Sequence, residues 1–346
     1  MKIKRFVTDL VAGYPFSDQL LLRAGRLKTE IRVVARSTSP WEHIGQCWPT
    51  NLNIENLNTC NANCIFCAYQ YQNKWRSTKG FMDSTLFKDI VRTHAEKGGK
   101  FLGISPMQGE PLLDRGLNEK LEFILYHGLS TSFFTNGILL DVVDVKALLE
   151  TGVSIISLST SALEKDLFHK IYRSNKYESL LNGIKQLLTV RNAMNADVTL
   201  NINFRSPLSY RKTVALPDFQ HHIIPLLRSD EIHNVQVMNA FDDWAGQIQQ
   251  SALLDGMRLR LSPRLKHRPC KWTFIPMVLW DGTVRACACR FKPRETAPCD
   301  ELAVGDLRQQ SLEDIWLGDK PKLLRRRFVQ GDIPDVCQSC SMYDPC

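Results

Sequence analysis

Asn51-Leu52-Asn53-Ile54-Glu55-Asn56-Leu57-Asn58-Thr59-Cys60-Asn61-Ala62-Asn63-Cys64-Ile65-Phe66-Cys67 runs an alternating apolar and polar pattern straight into a loop with three cysteines. Leu52 and Ile54 alternate with Asn51, Asn53 and Glu55, the period of a strand. The cysteines follow in a C-x3-C-x2-C spacing at the strand's carboxyl end. Three thiols so close cannot pair among themselves without leaving one over. Thiolates packed this densely suit an iron–sulfur cluster, which takes cysteine ligands from short loops. A cubane cluster has one more iron than the loop has cysteines. Either a fourth cysteine comes from elsewhere, or one iron stays open to another ligand.

The strand pattern repeats down the chain. A helix is expected over Ser84–Lys97, capped by Asp83 or Ser84, followed by a strand over Phe101–Ile104. Helix Leu117–Tyr126 and strand Ser130–Phe134 come next, then helix Val142–Leu149 and strand Val153–Leu158. Helix Tyr177–Asn192, strand Val198–Phe204 and strand Asn234–Met238 complete the series. Strands alternating with amphipathic helices imply βα units and a parallel sheet. Six units are too few for an eight-stranded barrel, so an open, partial barrel is expected. Functional loops in such sheets lie at the carboxyl ends of the strands, where the cysteine loop sits. Upstream, Asp9–Arg26 reads as weakly helical and Ile31–Val34 as a strand. Cys47 reads as a small buried hydrophobe.

Composition narrows the class. The 346 residues allow one large domain and a smaller one. A hydrophobic fraction of 44% with 23% charged residues is that of a globular chain. Nothing in it has the length of an apolar membrane span, and Thr8 and Asp9 interrupt any signal-peptide core. The net charge of +8 suits an anionic partner, and equally a solvated basic surface. Eleven cysteines, an odd number grouped at short spacings, point to metal ligation in a reducing compartment, so a cytoplasmic location is expected.

After Ala240 the character changes. Phe241-Asp242-Asp243-Trp244-Ala245-Gly246 is a polar, aromatic loop, and Arg258–Lys271 a basic linker. Phe274–Trp280 and Thr283–Ala286 read as a hairpin with Asp281-Gly282 as a two-residue turn. Cys270 precedes it, and Cys287 and Cys289 follow. A short helix over Ser311–Leu317 leads to a basic helix whose Arg325–Arg327 run reads as a solvated face. Cys337-x2-Cys340-x5-Cys346 closes the chain. The organisation expected is an extension over 1–50, the partial barrel over 51–245 and a cysteine-rich unit over 246–346.

Cys60-x3-Cys64-x2-Cys67, with Phe66 before the last cysteine, resembles the signature of the radical S-adenosylmethionine enzymes, whose fold is a partial (β/α)6 barrel. The resemblance implies that Cys60, Cys64 and Cys67 hold a [4Fe–4S] cluster. Its open iron binds S-adenosylmethionine, which on reduction yields a 5′-deoxyadenosyl radical that abstracts hydrogen. Gln108-Gly109-Glu110-Pro111 resembles the family's Gly-Gly-Glu-Pro segment, with Gln108 in place of the first glycine, and implies that Gly109 and Glu110 meet the cofactor's amino group. Thr135-Asn136-Gly137 matches another family turn. Ser157 and Arg173 match positions that hold the cofactor's carboxylate or ribose, while Ser159 stands where family members often carry aspartate. Phe66, Asn136 and one of Asn201 and Asn203, here taken as Asn203, complete the expected cofactor set. A structural zinc site is the competing reading of the cysteines.

The tail resembles the SPASM/Twitch extension, a β-hairpin plus helix that carries auxiliary iron–sulfur clusters. The one-cluster arrangement implies Cys270, Cys287, Cys337 and Cys340 as ligands of an auxiliary [4Fe–4S] cluster, with Cys346 as a further candidate. Zinc is again the competing metal. Cys289 and Cys299 are candidate hydrogen-atom donors or substitute ligands. Asp242, Asp243 and Trp244 are expected at the substrate opening. Two functions follow. The first is dehydrogenation or epimerisation of a small molecule of the sugar, aminoglycoside or nucleotide-sugar type, with an anionic group suiting the basic chain. The second is modification of a ribosomally made peptide. Either needs a reductant such as flavodoxin or ferredoxin, and neither a membrane nor nucleic acid is an expected partner.

Overall fold

A computed structural model describes residues 15–35, 41–71, 79–291 and 300–346. Six parallel strands form the barrel: β1 Asn51–Ile54, β2 Phe101–Ile104, β3 Ser130–Thr135, β4 Ile155–Ser161, β5 Thr199–Arg205 and β6 Val235–Met238. They pair in sequence order, with Ile54 opposite Ile104, Ile104 opposite Phe133, and Ser157 opposite Asn201. Leu52, Ile54, Leu102, Ile104, Phe133, Ile156, Leu158, Ile202 and Phe204 are buried, as expected of parallel strands covered on both faces. The expected partial barrel is the observed one.

Connecting helices begin where side-chain caps place them. The helix Ser84–Glu96 is capped by Asp83, which accepts from Thr85 N at 2.8 Å and Leu86 N at 3.1 Å. The helix expected from Val142 starts instead at Val145, because Asp144 accepts from Ala147 N at 3.0 Å and so caps it. Leu117–Tyr126 and Tyr177–Ala193 fall where the periodicity places them.

Further features differ from expectation, among them Cys47, expected to be buried and found exposed. Ile31–Val34 is not a strand but the end of a helix, Pro15–Ala35. Its Leu, Arg, Lys and Glu content favours a helix, and Val33 packs against Cys270, Phe328 and Tyr343. Residues 9–14 of the expected upstream helix lie outside the described residues. A helix that the pattern did not signal, Lys165–Tyr172, follows β4. The hairpin turn has three residues, Trp280–Gly282, rather than two. Leu279 N donates to Thr283 O, Gly282 N donates to Leu279 O, and Gly282 takes a φ of 88°, the arrangement of a tight turn followed by a left-handed residue.

The hairpin also extends the barrel. β9 Met277–Val278 pairs in parallel with β1, and β10 Thr283–Arg285 and β11 Ala303–Asp306 follow antiparallel. One nine-stranded sheet therefore carries both the first cysteine loop and the cysteine-flanked hairpin. The helices Leu312–Leu317 and Asp319–Gln330 come next. Arg325 is not solvated as expected. It is buried between the rings of Phe274 and Trp316 and donates to the carbonyls of Thr273 and Gly45.

Candidate active site and auxiliary cysteine cavity

The loop after β1 is clamped from below by the helix Lys165–Tyr172. Asn63 N donates to Tyr172 O, and Ile65 N to Ile171 O. Tyr69 donates its hydroxyl to Cys60 O at 3.1 Å, and Gln70 donates to the carbonyls of Ile65 and Cys67. Phe66 stacks on Phe241 with ring centroids 4.9 Å apart and meets Tyr172 edge-on. Phe66 thus packs the loop against the barrel. Cys64 is buried, and Cys60 and Cys67 are half-buried. Burial pushes all three thiols up, Cys60 to about 12 with the Glu110 carboxylate adding to it, and Cys67 to about 11. Thiols so placed ionise when a cationic metal core takes them as ligands.

Glu110 stands across from them. Its carboxylate is buried and accepts from Thr135 Oγ1 at 2.6 Å, Asn136 N at 2.7 Å and Leu112 N at 3.2 Å. Burial raises it to about 7. Among the described residues no cation stands at ion-pair distance from it. Asn136 donates to Asn61 Oδ1 at 2.7 Å and approaches Cys60 Sγ at 3.8 Å, tying the β3 turn to the cysteine loop. Gly109 packs so closely that a Cβ there would lie 2.7 Å from Leu57 O and 2.8 Å from Pro106 Cβ. Gln108 is buried with neither side-chain oxygen nor nitrogen hydrogen-bonded. A buried carboxylate without a cation, beside an unsatisfied amide and three thiols, fits a ligand that presents an ammonium group.

The other expected cofactor residues are spread around the strand ends. Ser157 is buried and accepts from Asn201 Nδ2 at 3.3 Å. Asn203, half-buried, lies opposite Ser159 in register. Arg173 is exposed at a φ of 50° and donates to Gln70 Oε1 at 3.1 Å, over the cysteine loop. Ser159 accepts from Arg205 Nε at 3.1 Å, so an arginine of β5 approaches where an aspartate is usual. Neither Arg205 nor Arg260 drew notice in the sequence, because a single arginine carries no pattern.

Asp242 and Asp243 are both engaged by the C-terminal segment. Asp242 accepts from Ser341 N at 3.0 Å and Oγ at 2.6 Å, and pairs with Arg290 at 3.1 Å. Asp243 pairs with another Arg290 nitrogen and accepts from Ala245 N. Both carboxylates thus fasten the post-barrel loop to the C-terminal segment. Trp244, at a φ of 50°, meets Phe291 edge-on at 5.8 Å.

Beyond this joint lies a cavity lined by Cys270, Cys287, Cys289, Cys337 and Cys340. Cys270 N-caps the turn Lys271–Phe274, and Cys340 N donates to Cys337 O, closing the C-x2-C turn. Arg285 holds the Cys287 loop. Its guanidinium pairs with Asp300 and donates to Cys287 O and Arg290 O. Cys289, a candidate hydrogen-atom donor or substitute ligand from the sequence, lines this cavity, where its N–H donates to Cys287 Sγ at 3.3 Å. Cys346 does not line the cavity; its N–H donates to Pro269 O. Cys299 lies outside the described residues. Among the described residues no three His, Cys, Asp or Glu side chains converge on a single-ion site.

Lys266 adds a charge. It is buried, donates to Ser262 Oγ and to the carbonyls of Cys337 and Gln338, and has no carboxylate at ion-pair distance among the described residues. Its charge acts on Cys340, Cys337 and Cys270. A buried ammonium with only neutral partners fits a neighbour of net negative charge, which a cluster held by four thiolates has.

A partial barrel with three cysteines at the end of β1 and a second cysteine cavity fused to the same sheet defines an iron–sulfur enzyme architecture. Residues 55–202 match the radical SAM superfamily, and residues 270–341 match the SPASM iron–sulfur cluster-binding domain. The chain belongs to the radical SAM superfamily and carries a C-terminal SPASM domain. Its cofactors are accordingly a [4Fe–4S] cluster, S-adenosylmethionine and auxiliary iron–sulfur clustering in the C-terminal unit.

A probable GTP 3′,8-cyclase of Methanocaldococcus jannaschii is 30% identical over 141 residues, which is 40% of this chain and 46% of that protein. The chain spans about half the length of the curated relatives it matches first. SuiB of Streptococcus suis, bound to precursor peptide SuiA, superposes with a TM-score of 0.55 at 15% identity, over 86% of this chain and 71% of that one. BtrN in complex with AdoMet and 2-DOIA gives 0.51 at 15% identity, over 84% and 92%. At that identity the likeness speaks to fold. Among the described residues no helix is long and apolar enough to cross a membrane.

Proposed function

We propose that the protein dehydrogenates a small molecule bearing an anionic group, with Cys60, Cys64 and Cys67 holding the reactive cluster and Cys270, Cys287, Cys337 and Cys340 the auxiliary one. When bound, the cofactors supply hydrogen-atom abstraction at the barrel mouth and a sink for the second electron in the C-terminal cavity. Gly109, Glu110 and Asn136 orient S-adenosylmethionine from the β2 and β3 side, while Ser157, Asn203 and Arg173 flank it from β4, β5 and the helix above.

The observation that carries the reading is the Cys287–Phe291 segment. Cys287 and Cys289 line the auxiliary cavity at one end. At the other, Arg290 pairs with Asp242 and Asp243 at the end of the barrel, and Phe291 meets Trp244. Ala288 and Phe291 also pack against the cluster formed by Met107 of the β2 loop with Met277 and Leu279 of the hairpin. Five residues thus join the cysteine cavity to the barrel rim, a short route for an electron leaving a substrate at the mouth. Cys289, lining the cavity, fits a place beside the auxiliary cluster better than that of a hydrogen-atom donor at the mouth.

The test is anaerobic reconstitution, reduction by flavodoxin or dithionite, and incubation with S-adenosylmethionine and a panel of phosphosugars, nucleotide-sugars, aminocyclitols and GTP, the last suggested by the relative's name. 5′-Deoxyadenosine with a product two electrons more oxidised is expected. Solvent deuterium in an unoxidised product would instead indicate epimerisation, and turnover of peptides alone would remove the small-molecule reading.

A further inference from the structure

We propose that Arg205 and Arg260 together form the seat for the substrate's anionic group, a phosphate or a carboxylate, at the rim of the barrel. The proposal rests on the small-molecule reading above and names residues for its anionic end.

Arg205 is the last residue of β5, at the carboxyl end where the loops of a parallel barrel meet their ligands. Its Nε donates to Ser159 Oγ at 3.1 Å, and its Nη1 donates to the thioether of Met238. Arg260 follows β8, Arg258–Leu259, whose partner is β7, Ala240–Phe241. The Arg260 N–H donates to Phe241 O at 2.8 Å, and its Nη1 to Met342 Sδ at 3.1 Å. A thioether is a weak acceptor. Among the described residues neither guanidinium has a carboxylate at ion-pair distance.

That sets the pair apart from the other enclosed arginines. Arg191 pairs with Glu231, Arg285 with Asp300, and Arg290 with Asp242 and Asp243. Arg325 gives its donors to backbone carbonyls between two aromatic rings. Arg205 has neither compensation, and Arg260 feels only the charge of Asp242 from beyond ion-pair distance, a carboxylate already engaged by Ser341 and Arg290; the two guanidiniums lie close enough for their charges to repel. Arg205 is also within electrostatic reach of Cys64 and Tyr172, which puts the pair beside the first cysteine loop. Two like charges brought together without a counter-ion destabilise the free protein; a bound anion removes the repulsion, and guanidinium forks match phosphate and carboxylate oxygens in pairs.

Position favours the substrate over the cofactor as the anion's source. The residues assigned to the cofactor lie at β2 to β5 and the helix after β4, and Arg205 shares β5 with Asn203, whereas Arg260 follows β8 outside that set and touches Met342 of the C-terminal unit. The pair therefore joins the end of β5 to the stretch that touches the C-terminal unit. The carboxylate of S-adenosylmethionine is the rival source.

The test measures binding to the anaerobically reconstituted holoenzyme by calorimetry, with pyrophosphate, malonate and S-adenosylmethionine as separate probes, in wild type, Arg205→Gln and Arg260→Gln. The expected result is that pyrophosphate or malonate binds wild type and weakens at least tenfold in each variant, while affinity for S-adenosylmethionine stays within twofold and the cluster absorbance is unchanged. Arg260→Lys, which keeps the charge but not the fork, should fall between. A tenfold loss for S-adenosylmethionine would reassign the pair to the cofactor. Absence of anion binding in wild type, or anion binding indifferent to both substitutions, would overturn the proposal. Because binding needs no turnover, a failed dehydrogenation assay leaves this result readable by itself.

Discussion

Glu110→Gln is expected to stabilise the S-adenosylmethionine-free protein at alkaline pH while weakening its hold on the cofactor. The carboxyl's ordinary value of 4.5 is raised to about 7 in the folded state by burial. The folded protein therefore holds a proton that the unfolded chain releases between those two values. Stability falls as pH rises across that window and levels off above about 7. At about 1.4 kcal/mol for each pH unit, the loss is roughly 3 kcal/mol at pH 8. Glutamine carries no charge and escapes this loss. It has one acceptor oxygen instead of two, so either Asn136 N or Leu112 N loses a partner, at about 1–2 kcal/mol independent of pH.

The variant should thus be the less stable protein at pH 5 and the more stable one at pH 8, with the curves crossing near pH 6. Urea midpoints of both proteins, reconstituted and free of S-adenosylmethionine, measure this directly. Adding S-adenosylmethionine at pH 8 should raise the wild-type midpoint and leave the variant's nearly unmoved, because only the carboxylate gains a counter-charge. A stability difference that stays constant from pH 5 to pH 8 would refute the reasoning, since it would mean that Glu110 is ionised throughout. An equal gain from the cofactor in both proteins would refute the assignment of the ammonium to Glu110.

Replacing Cys60, Cys64 and Cys67 by alanine together should lower the iron content from about eight to about four per chain, leave the auxiliary charge-transfer absorbance, and abolish 5′-deoxyadenosine formation. Unchanged iron would place the clusters elsewhere. Lys266→Met should lower the reduction potential of the auxiliary cluster by tens of millivolts in an EPR-monitored titration, because a cation that favours the added electron is gone; a rise or no change would contradict the counter-ion argument. Gly109→Ala should cost about 1–3 kcal/mol in stability and weaken S-adenosylmethionine binding, as its Cβ would lie 2.7 Å from the Leu57 carbonyl oxygen.

The barrel was legible because each βα unit writes its own period. Strand and helix positions such as Phe101–Ile104 and Leu117–Tyr126 depend on neighbours a few residues away. The helix Lys165–Tyr172 was missed since eight residues give barely two turns of period, although its signs are there. Glu164 caps it by accepting from Asp166 N and Leu167 N, and Phe168, Ile171 and Tyr172 recur at helical spacing on its buried face. That helix clamps the cysteine loop, so the motif was visible while its support was not.

In the C-terminal unit, meaning comes from pairings between distant residues, which no local pattern records. Arg325 looked solvated because Arg326 and Arg327 follow it, yet its partners are Thr273, Phe274, Trp316 and Gly45. Asp242 looked like a substrate contact because it ends a barrel strand, yet Ser341 and Arg290 claim it. Cys289 stayed open between hydrogen-atom donor and substitute ligand because four other cysteines already sufficed for one cluster, and it lines the same cavity. In each case the partners lie far along the chain, and Asp242 and Cys289 both belong to the region joining barrel and cavity. Glu110 on one side and Arg205 with Arg260 on the other remain as charged groups without a partner at ion-pair distance among the described residues. One side lacks a cation and the other an anion. A zwitterionic cofactor and an anionic substrate, bound side by side, would satisfy both.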